Sequence, residues 1–165
     1  RLWRYYSPAN APRDDGIIEF HIRSVEGGWV SRSIVGHTQP GDVWRIGPPM
    51  GRLSVDRKSG RDVLMVAGGT GVAPMHAIID EMAQWGENPR VHLFLGGRTR
   101  EDLYDLDNLL AVAASNPWLR AKTSTTSAPA ATAETTATSV PAADSEPARF
   151  ESRSVPIGNA EAYGK

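Results

Sequence analysis

The chain has 165 residues, which is room for one full domain or two partial ones, and its net charge of −1 argues against nucleic-acid or membrane-surface binding. It contains no cysteine, which excludes disulfides, thiolate metal sites and cysteine nucleophiles within these residues. The four histidines lack metal-ligand spacing, so we expect no metal site. The apolar runs are far shorter than the roughly 18 residues that a membrane-spanning helix needs. We therefore expect a cytoplasmic protein without nucleic-acid or membrane partners.

Residues 1–58 contain short apolar runs that are repeatedly broken by Gly, Pro and Asp. These runs predict four strands: Leu2–Tyr6, Ile17–Arg23, Val43–Ile46 and Leu53–Val55. A short helix is expected from Ser31 to His37. This succession of short strands and turns predicts a partial antiparallel β-barrel.

Residues 59–120 follow a different pattern. Continuous apolar runs at Asp62–Ala67 and Val91–Gly96 predict parallel strands that are buried on both faces. Each run is followed by apolar residues at helical spacing, which predicts helices at Val72–Trp85 and Arg100–Ala114. Strands and helices that alternate in this way predict a partial α/β domain with a parallel sheet and right-handed crossovers.

The composition changes again after Arg120. The stretch from Ala121 to Arg149 is dominated by Ala, Thr, Ser and Pro and contains a single Val as its only large aliphatic residue. Such a stretch buries too little apolar surface to offset the entropy that ordering costs. We therefore predict that residues 121–165 form a low-complexity, disordered tail, within which Phe150–Lys165 show no clear apolar period.

A glycine-rich turn, Gly68-Gly69-Thr70-Gly71-Val72-Ala73-Pro74, lies between the first predicted parallel strand and its helix. Glycines let a backbone approach a pyrophosphate closely, and the first N–H groups of the helix then face the anion. Pro74 costs little in a first helical turn, where its missing N–H is not needed. The third glycine of the dinucleotide fingerprint is absent, and a structural tight turn is the alternative interpretation.

Two further runs are candidates for binding an anion or a planar ring. In Arg4-Tyr5-Tyr6-Ser7, the Arg can pair with a pyrophosphate, Tyr6 can stack on a ring and Ser7 can donate to a ring nitrogen. The alternative is an edge strand with a surface Arg and a half-buried Tyr. Gly28-Trp29-Val30-Ser31 opens the short helix and offers a second set of helix-start amides, although a hairpin turn explains it equally well.

Several charged residues have simpler explanations. Arg98 follows the second parallel strand, where a dinucleotide's adenosine ribose or 2′-phosphate would lie, and a solvated arginine is the alternative. His76 and His92 are expected to pack or to face solvent rather than to bind a ligand. Three acidic residues are expected to form a solvated helix face rather than an acid–base pair: Asp102, Asp105 and Asp107.

Taken together, these runs resemble the ferredoxin–NADP reductase superfamily in both order and spacing. Gly41–Pro48 and Leu93–Arg98 carry the same resemblance, which covers residues 2 to about 119. The likeness is strongest to the reductase portion of flavohaemoglobins and to NADH-dependent oxygenase reductases, through Ser7–Asn10 and Val25–Ser31. The family continues with another buried strand where this chain has Ala-Lys-Thr-Ser-Thr-Thr, and we expect the chain to be incomplete at both ends.

The resemblance implies FAD and either NADH or NADPH as cofactors. Arg4 would contact the FAD pyrophosphate, Tyr6 would stack on the isoalloxazine and Ser7 would hydrogen-bond near N5. His21 to Arg23 would pass the ribityl and adenosine, while Gly28 to Ser31 would cradle the FAD phosphates. Gly69 to Pro74 would hold the NAD(P)H pyrophosphate with Thr70 nearest the nicotinamide, so that Tyr6, Ser7 and Thr70 would be the catalytic residues. The full set of expected cofactor-binding residues is Arg4, Tyr5, Tyr6, Ser7, His21, Ile22, Arg23, Gly28, Trp29, Val30, Ser31, Gly68, Gly69, Thr70, Gly71, Val72, Ala73, Pro74 and Arg98.

The resemblance also implies an activity. A hydride would pass from NAD(P)H, with NADH favoured, to the flavin, and electrons would continue to a haem, iron–sulfur or other acceptor. The partner would be a haem globin, a ferredoxin or an oxygenase outside this segment. Two alternatives are a nucleotide-binding remnant without catalysis and a non-enzymatic interaction module whose tail binds a partner.

Overall fold

The structure is a computed structural model that describes residues 3–126 and, for the backbone alone, residues 150–155. A 3₁₀ turn, Gly69–Gly71, lies between the second strand and the second helix. The other elements are β1 Ile18–Arg23, α1 Trp29–His37, β2 Val63–Gly68, α2 Val72–Ala83, β3 Val91–Gly97, α3 Leu106–Ser115, β4 Leu119–Thr125 and β5 Phe150–Val155. None of the three helices in the described ranges has the length and apolar character that a bilayer span requires.

The second half of the chain is built on a parallel sheet in the order β2-β3-β4. The connections from β2 to β3 and from β3 to β4 each advance by one strand in the same direction across the sheet. Because connections between parallel strands are right-handed, α2 and α3 lie on the same face of the sheet. The core lies between that face and the helices, where Leu93 of β3, Ile79 of α2 and Leu109 of α3 are fully buried. The predicted α/β unit with parallel strands is therefore confirmed.

The prediction that these strands are buried on both faces is wrong. Leu64 and Val66 of β2 are each 67% exposed, and Phe94 of β3 is 41% exposed. These side chains alternate with the buried ones and point away from α2 and α3. Since both helices cover the same face, no described element shields the other face.

Strand β4 corrects the prediction of disorder from residue 121 onward. Its parallel register with β3 pairs Leu93 with Ala121 and Leu95 with Thr123. Backbone hydrogen bonds supply this pairing, and Leu119 alone provides the fully buried apolar anchor, so a Thr- and Ser-rich strand suffices here. Residues 150–155 also form a strand, and the rest of the predicted tail lies outside the described residues.

In the first half, β1 pairs with β5 in antiparallel register. The strand at Ile17–Arg23 is confirmed within one residue, and the helix begins at Trp29, two residues earlier than expected. Within the described part, the expected strands at residues 3–6, 43–46 and 53–55 are loops. A strand needs a hydrogen-bonding neighbour, and alternation of side chains does not supply one. The antiparallel barrel therefore stays a prediction beyond the β1–β5 pair.

Two helix limits also differ from expectation. Helix α3 begins at Leu106 rather than at residue 100, because the Asp102 carboxylate accepts the backbone N–H groups of Arg98 and Thr99 at 2.9 and 3.1 Å. These bonds hold the segment after β3 in turns. Helix α2 ends at Ala83. The backbone N–H groups of Gln84 and Trp85 donate to carbonyl oxygens three positions back instead of the four positions that an α-helix requires.

Candidate functional site

The glycine-rich turn lies at the carboxyl end of β2, where the chain passes from the sheet into α2. Gly69 has a φ of +51°, a left-handed value that glycine adopts without steric cost. A Cβ on Gly68 would lie 3.2 Å from the carbonyl oxygen of Gly96 on the neighbouring strand. The tight turn and the close approach of β3 therefore explain two of the three glycines by backbone geometry alone.

Gly71 is different, because its conformation does not require glycine. Its φ of −64° and ψ of −13° suit any residue, and no described atom lies within 4 Å of an added Cβ. Within residues 3–126, no acidic residue lies in the first turn of α2 and no side chain caps it. The turn thus presents backbone N–H groups beside bare space, an arrangement that fits a pyrophosphate.

The side chains that follow Gly71 have another role. Val72 and Ala73 are buried in or against the core. Their side chains are therefore not placed to meet a ligand, and the backbone N–H of Val72 already donates to the carbonyl oxygens of Gly69 and Thr70. Among the described residues, no three His, Asp or Glu side chains converge on a position that could hold a metal ion.

Arg23 connects the first half of the chain to this turn. It lies at the end of β1, and its Nη1 is 3.8 Å from the position of a Cβ on Gly69. Its charge also reaches Asp102: the backbone N–H of Thr99 lowers the pKa of that carboxyl most, with smaller contributions from Arg98 and Arg23. The expected FAD strand and the expected nicotinamide turn therefore meet at Arg23.

Arg98 lies just beyond β3, as the sequence indicated. Its side chain is largely exposed, with Nε 3.9 Å from a carboxylate oxygen of Asp102. The structure thus places Arg98 near the carboxyl edge of the sheet. Its role towards a ribose or a 2′-phosphate stays a prediction.

The run Arg4-Tyr5-Tyr6-Ser7 lies in an extended loop on the surface. Nη1 of Arg4 donates to the carbonyl oxygen of Trp3 at 2.9 Å, and Tyr5 is exposed. Tyr6 is 36% exposed. Its partial burial raises the pKa of its hydroxyl, and the charge of Arg4 opposes this increase. The roles of Arg4, Tyr6 and Ser7 towards FAD stay predictions.

The start of α1 forms a second tight turn. A Cβ on Gly28 would lie 2.6 Å from both Val25 Cγ2 and Ser31 Oγ, so any larger residue there would force these side chains to shift. Ser31 Oγ donates to the carbonyl oxygen of Gly28 at 3.3 Å. Because that hydroxyl has an internal partner, an anion at this turn would rely on the backbone amides of Val30 and its neighbours.

An open groove of about 840 Å³ runs beside α1. It is lined by Ser24, Gly27, Trp29, Arg32, Ser33, Val35, Gly36 and His37. Trp29 is exposed here, and Arg32 supplies a positive charge that the sequence reasoning missed. Arg32 lies about one helical turn after Gly27 and Gly28, and this spacing could have identified it as a candidate.

His21 of β1 is buried, and its ring packs against Tyr104 rather than lying open to a cofactor. Its Nδ1 is 2.8 Å from the Tyr104 hydroxyl, and its Nε2 is 3.2 Å from a Glu19 carboxylate oxygen. The rings of His21 and Tyr104 also meet edge to face. If His21 contributes to a flavin site, as the resemblance implies, its backbone is the part available.

Asp105 and His76 form a second polar contact. This contact shows that the expectation of a solvated acidic helix face is wrong for Asp105. Asp105 is buried, and its Oδ2 is 2.7 Å from Nδ1 of His76. Its other oxygen accepts a hydrogen bond from Asn108 at 2.9 Å. Asp102 precedes α3 and binds backbone, so of the three acidic residues only Asp107 is an exposed helix residue.

Comparison with known proteins follows the two halves of the chain. The oxidoreductase FAD-binding domain model matches residues 1–55, and the oxidoreductase NAD-binding domain model matches residues 65–149. The second match passes residue 120 and includes β4. It also contains the glycine-rich turn and the segment after β3.

Curated relatives include reductase components of oxygenase systems. The ferredoxin–NAD(P)(+) reductase component of a naphthalene 1,2-dioxygenase system from Pseudomonas putida is 36% identical over 126 residues, which are 76% of this chain and 38% of the relative. The phenol 2-monooxygenase reductase component from Pseudomonas sp. strain CF600 is 32% identical over 114 residues, 69% of this chain and 32% of the relative. The chain thus spans roughly a third of the length of these relatives.

Among solved structures, a cytochrome P450 reductase from Amycolatopsis is similar with a TM-score of 0.58 and 27% identity, over 72% of this chain and 37% of that one. These relatives agree with the oxygenase-reductase part of the expected resemblance, and the flavohaemoglobin part stays a prediction. The chain belongs to the ferredoxin reductase superfamily, with an FAD-binding domain match followed by an NAD-binding domain match.

Proposed function

We propose that this chain is the cofactor-handling part of an FAD-dependent NAD(P)H oxidoreductase that passes electrons to a ferredoxin or an oxygenase component. The observation that carries the proposal is the meeting of Arg23, at the end of the FAD-side strand, with Gly69 in the glycine-rich turn. The order of the two family matches and the names of the relatives support the same activity. A cytoplasmic location and a preference for NADH accompany the proposal as predictions.

The nicotinamide dinucleotide is proposed to bind at the start of α2. Gly71 leaves room for a pyrophosphate, and first-turn amides other than that of Val72 would donate to it while the helix dipole favours its negative charge. Thr70 offers a hydroxyl beside the nicotinamide, and Arg98 lies towards the adenosine end. Arg23 adds positive charge beside Gly69.

FAD is proposed to bind along the first half of the chain. When bound, it supplies an acceptor that takes two electrons from a nicotinamide and releases them singly. Arg4 would neutralise its pyrophosphate, while Tyr6 and Ser7 would orient its ring. The turn at Gly28 would hold phosphate through its amides, and the groove beside α1 offers volume for the rest of the nucleotide. In this arrangement the chain binds and orients, whereas the cofactors carry the redox chemistry.

The proposal is tested by titrating the purified chain with FAD and then adding NADH without oxygen. We expect a shifted flavin absorbance spectrum that bleaches on addition of NADH. Arg4→Ala should weaken FAD binding by about tenfold, as expected for one charge-assisted contact of about 1.4 kcal/mol. Arg13→Ala is the matched control, because Arg13 is exposed and pairs with Asp15.

Two outcomes would contradict the proposal. Bound FAD that stays oxidised in the presence of NADH would indicate a nucleotide-binding remnant. A chain that binds neither cofactor would favour a non-enzymatic interaction module.

A further inference from the structure

A cluster of polar side chains joins the two halves of the chain behind the glycine-rich turn. We call it the polar bridge; its members are Glu19, His21, His76, Tyr104 and Asp105. Glu19 and His21 come from β1, His76 from α2, and Tyr104 and Asp105 from the segment between β3 and α3. The two histidine rings lie 6.3 Å apart, centroid to centroid.

The two contacts of His21 fit a single tautomer of its ring. A carboxylate oxygen accepts hydrogen bonds, so Nε2 donates in the contact with Glu19. Nδ1 of His21 is then an acceptor, and the Tyr104 hydroxyl donates to it. Burial, reinforced by the charges of Asp105 and Glu19, raises the pKa of Tyr104 far above its ordinary value, so this hydroxyl remains a donor throughout the physiological pH range.

His76 contacts the carboxylates of Asp105 and Asp80. Its Nδ1 faces Asp105 at 2.7 Å and its Nε2 faces Asp80 at 3.6 Å, while Glu19 and His21 approach from β1. The adjacent carboxylate of Asp105 raises the pKa of His76, although burial opposes it. Burial in turn opposes ionisation of Asp105, but the contacts with His76 and Asn108 prevail and lower the pKa of Asp105. The two groups form an ion pair while His76 is protonated.

The bridge is placed to affect the candidate cofactor sites. Tyr104 and Asp105 line the same small cavity as Gly68 and Gly69. His76 lies in the first turns of α2, whose amides are the proposed pyrophosphate site. A shift in the bridge would therefore move β1, which carries Arg23, relative to the glycine-rich turn.

We propose that the polar bridge positions the FAD-side strand against the nicotinamide turn and that protonation of His76 tightens this contact. The consequence for hydride transfer rests on the proposed function, whereas the bridge itself can be tested without cofactors. Glu19, His21, His76, Tyr104 and Asp105 are thus positioning residues. With His76 protonated, the ion pair holds α2 to the segment that carries Tyr104, and Tyr104 holds β1.

The test is an NMR titration of the full chain that follows the imidazole signals and the amides of Phe20 and Ile22 on β1. We expect His76 to titrate above the ordinary pKa of 6.5 and the β1 amides to shift with the same midpoint. Tyr104→Phe removes the donor to His21 and should abolish this transition in β1 while leaving that of His76. His92→Asn, on a strand away from the bridge, should change neither.

Amides on β1 that show no transition at the His76 midpoint would overturn the proposal. The same would follow if Tyr104→Phe left that transition intact. If Tyr104→Phe does not fold, His76→Asn provides the same comparison, because it removes the titrating group.

The functional arm measures the rate of anaerobic flavin reduction by NADH against pH. We expect that rate to change severalfold around the His76 midpoint in the unmodified chain and to be flat there in His76→Asn. A flat rate in both would refute the positioning role. If bound flavin is not reduced at any pH while the NMR coupling persists, the proposed function fails and the bridge stands.

Discussion

Replacing Gly71 with alanine separates the demands of the fold from those of a bound nucleotide. The backbone at Gly71 is helical, and no described atom lies within 4 Å of the added methyl group. A Gly→Ala change at such a position stabilises a protein by about 0.4–1 kcal/mol, since the unfolded chain loses freedom. The melting temperature of the unliganded chain should therefore rise by about 1–4 °C.

The same methyl group should harm dinucleotide binding, because the bare surface at Gly71 is where we place the NAD(P)H pyrophosphate. An extra methyl in a close contact costs about 1–3 kcal/mol. That corresponds to a KM for NADH about 5 to 160 times higher in anaerobic flavin reduction. Gly86→Ala is the control: no described atom crowds its Cβ, and it lies beyond the other end of α2.

Two results would refute this reasoning. A loss of more than about 1 kcal/mol in the unfolding free energy of Gly71→Ala would mean that the fold requires this glycine. A KM for NADH equal to that of the unmodified chain would mean that no nucleotide lies against Gly71.

Three further predictions address the sheet, the bridge and the first helix. Leu93→Ala should lower the unfolding free energy by about 2–5 kcal/mol in urea, and Leu64→Ala on the uncovered face by less than about 1 kcal/mol; equal losses would contradict the one-sided core. His76→Asn should cost about 1–3 kcal/mol between pH 3.8 and 6.5, where the ionised Asp105 loses its partner. Because the folded pKa of His76 is raised and that of Asp105 is lowered, this loss should fade as the pH rises through the former or falls through the latter. Urea unfolding measured across and beyond this pH window checks the prediction, and a loss that stays constant would contradict it. Gly28→Ala should cost about 1–3 kcal/mol in thermal unfolding, since its Cβ would lie 2.6 Å from neighbouring side-chain atoms; unchanged stability would show that the turn relaxes freely.

The features that the sequence predicted well are local. The strand, glycine-rich turn and helix from Val63 to Ala83 are encoded by an apolar run, glycines and helical spacing within about twenty neighbouring residues. Helix α1 and the existence of strand β3 follow from the same kind of pattern. Each depends on interactions between residues that are close in the chain.

The features that the sequence missed depend on distant partners. Strand β4 is rich in Thr and Ser, and it exists because β3 offers a row of backbone groups for pairing. The loops at residues 43–46 and 53–55 alternate like strands but have no such neighbour among the described residues. His21 and Tyr104 are 83 positions apart, so a single sequence gives no sign that they meet. Asp105 was expected to be solvated because its partner His76 lies on a different element and is also distant in the chain.

We propose above that this chain holds FAD and a nicotinamide dinucleotide so that a hydride passes between them. The most direct test is rapid-mixing reduction of the FAD-loaded chain by NADH that carries deuterium at the transferred position. We expect the flavin to bleach and the deuterated donor to react severalfold more slowly, because the C–H bond breaks as the flavin is reduced. Flavin that stays oxidised, although both cofactors bind, would contradict it.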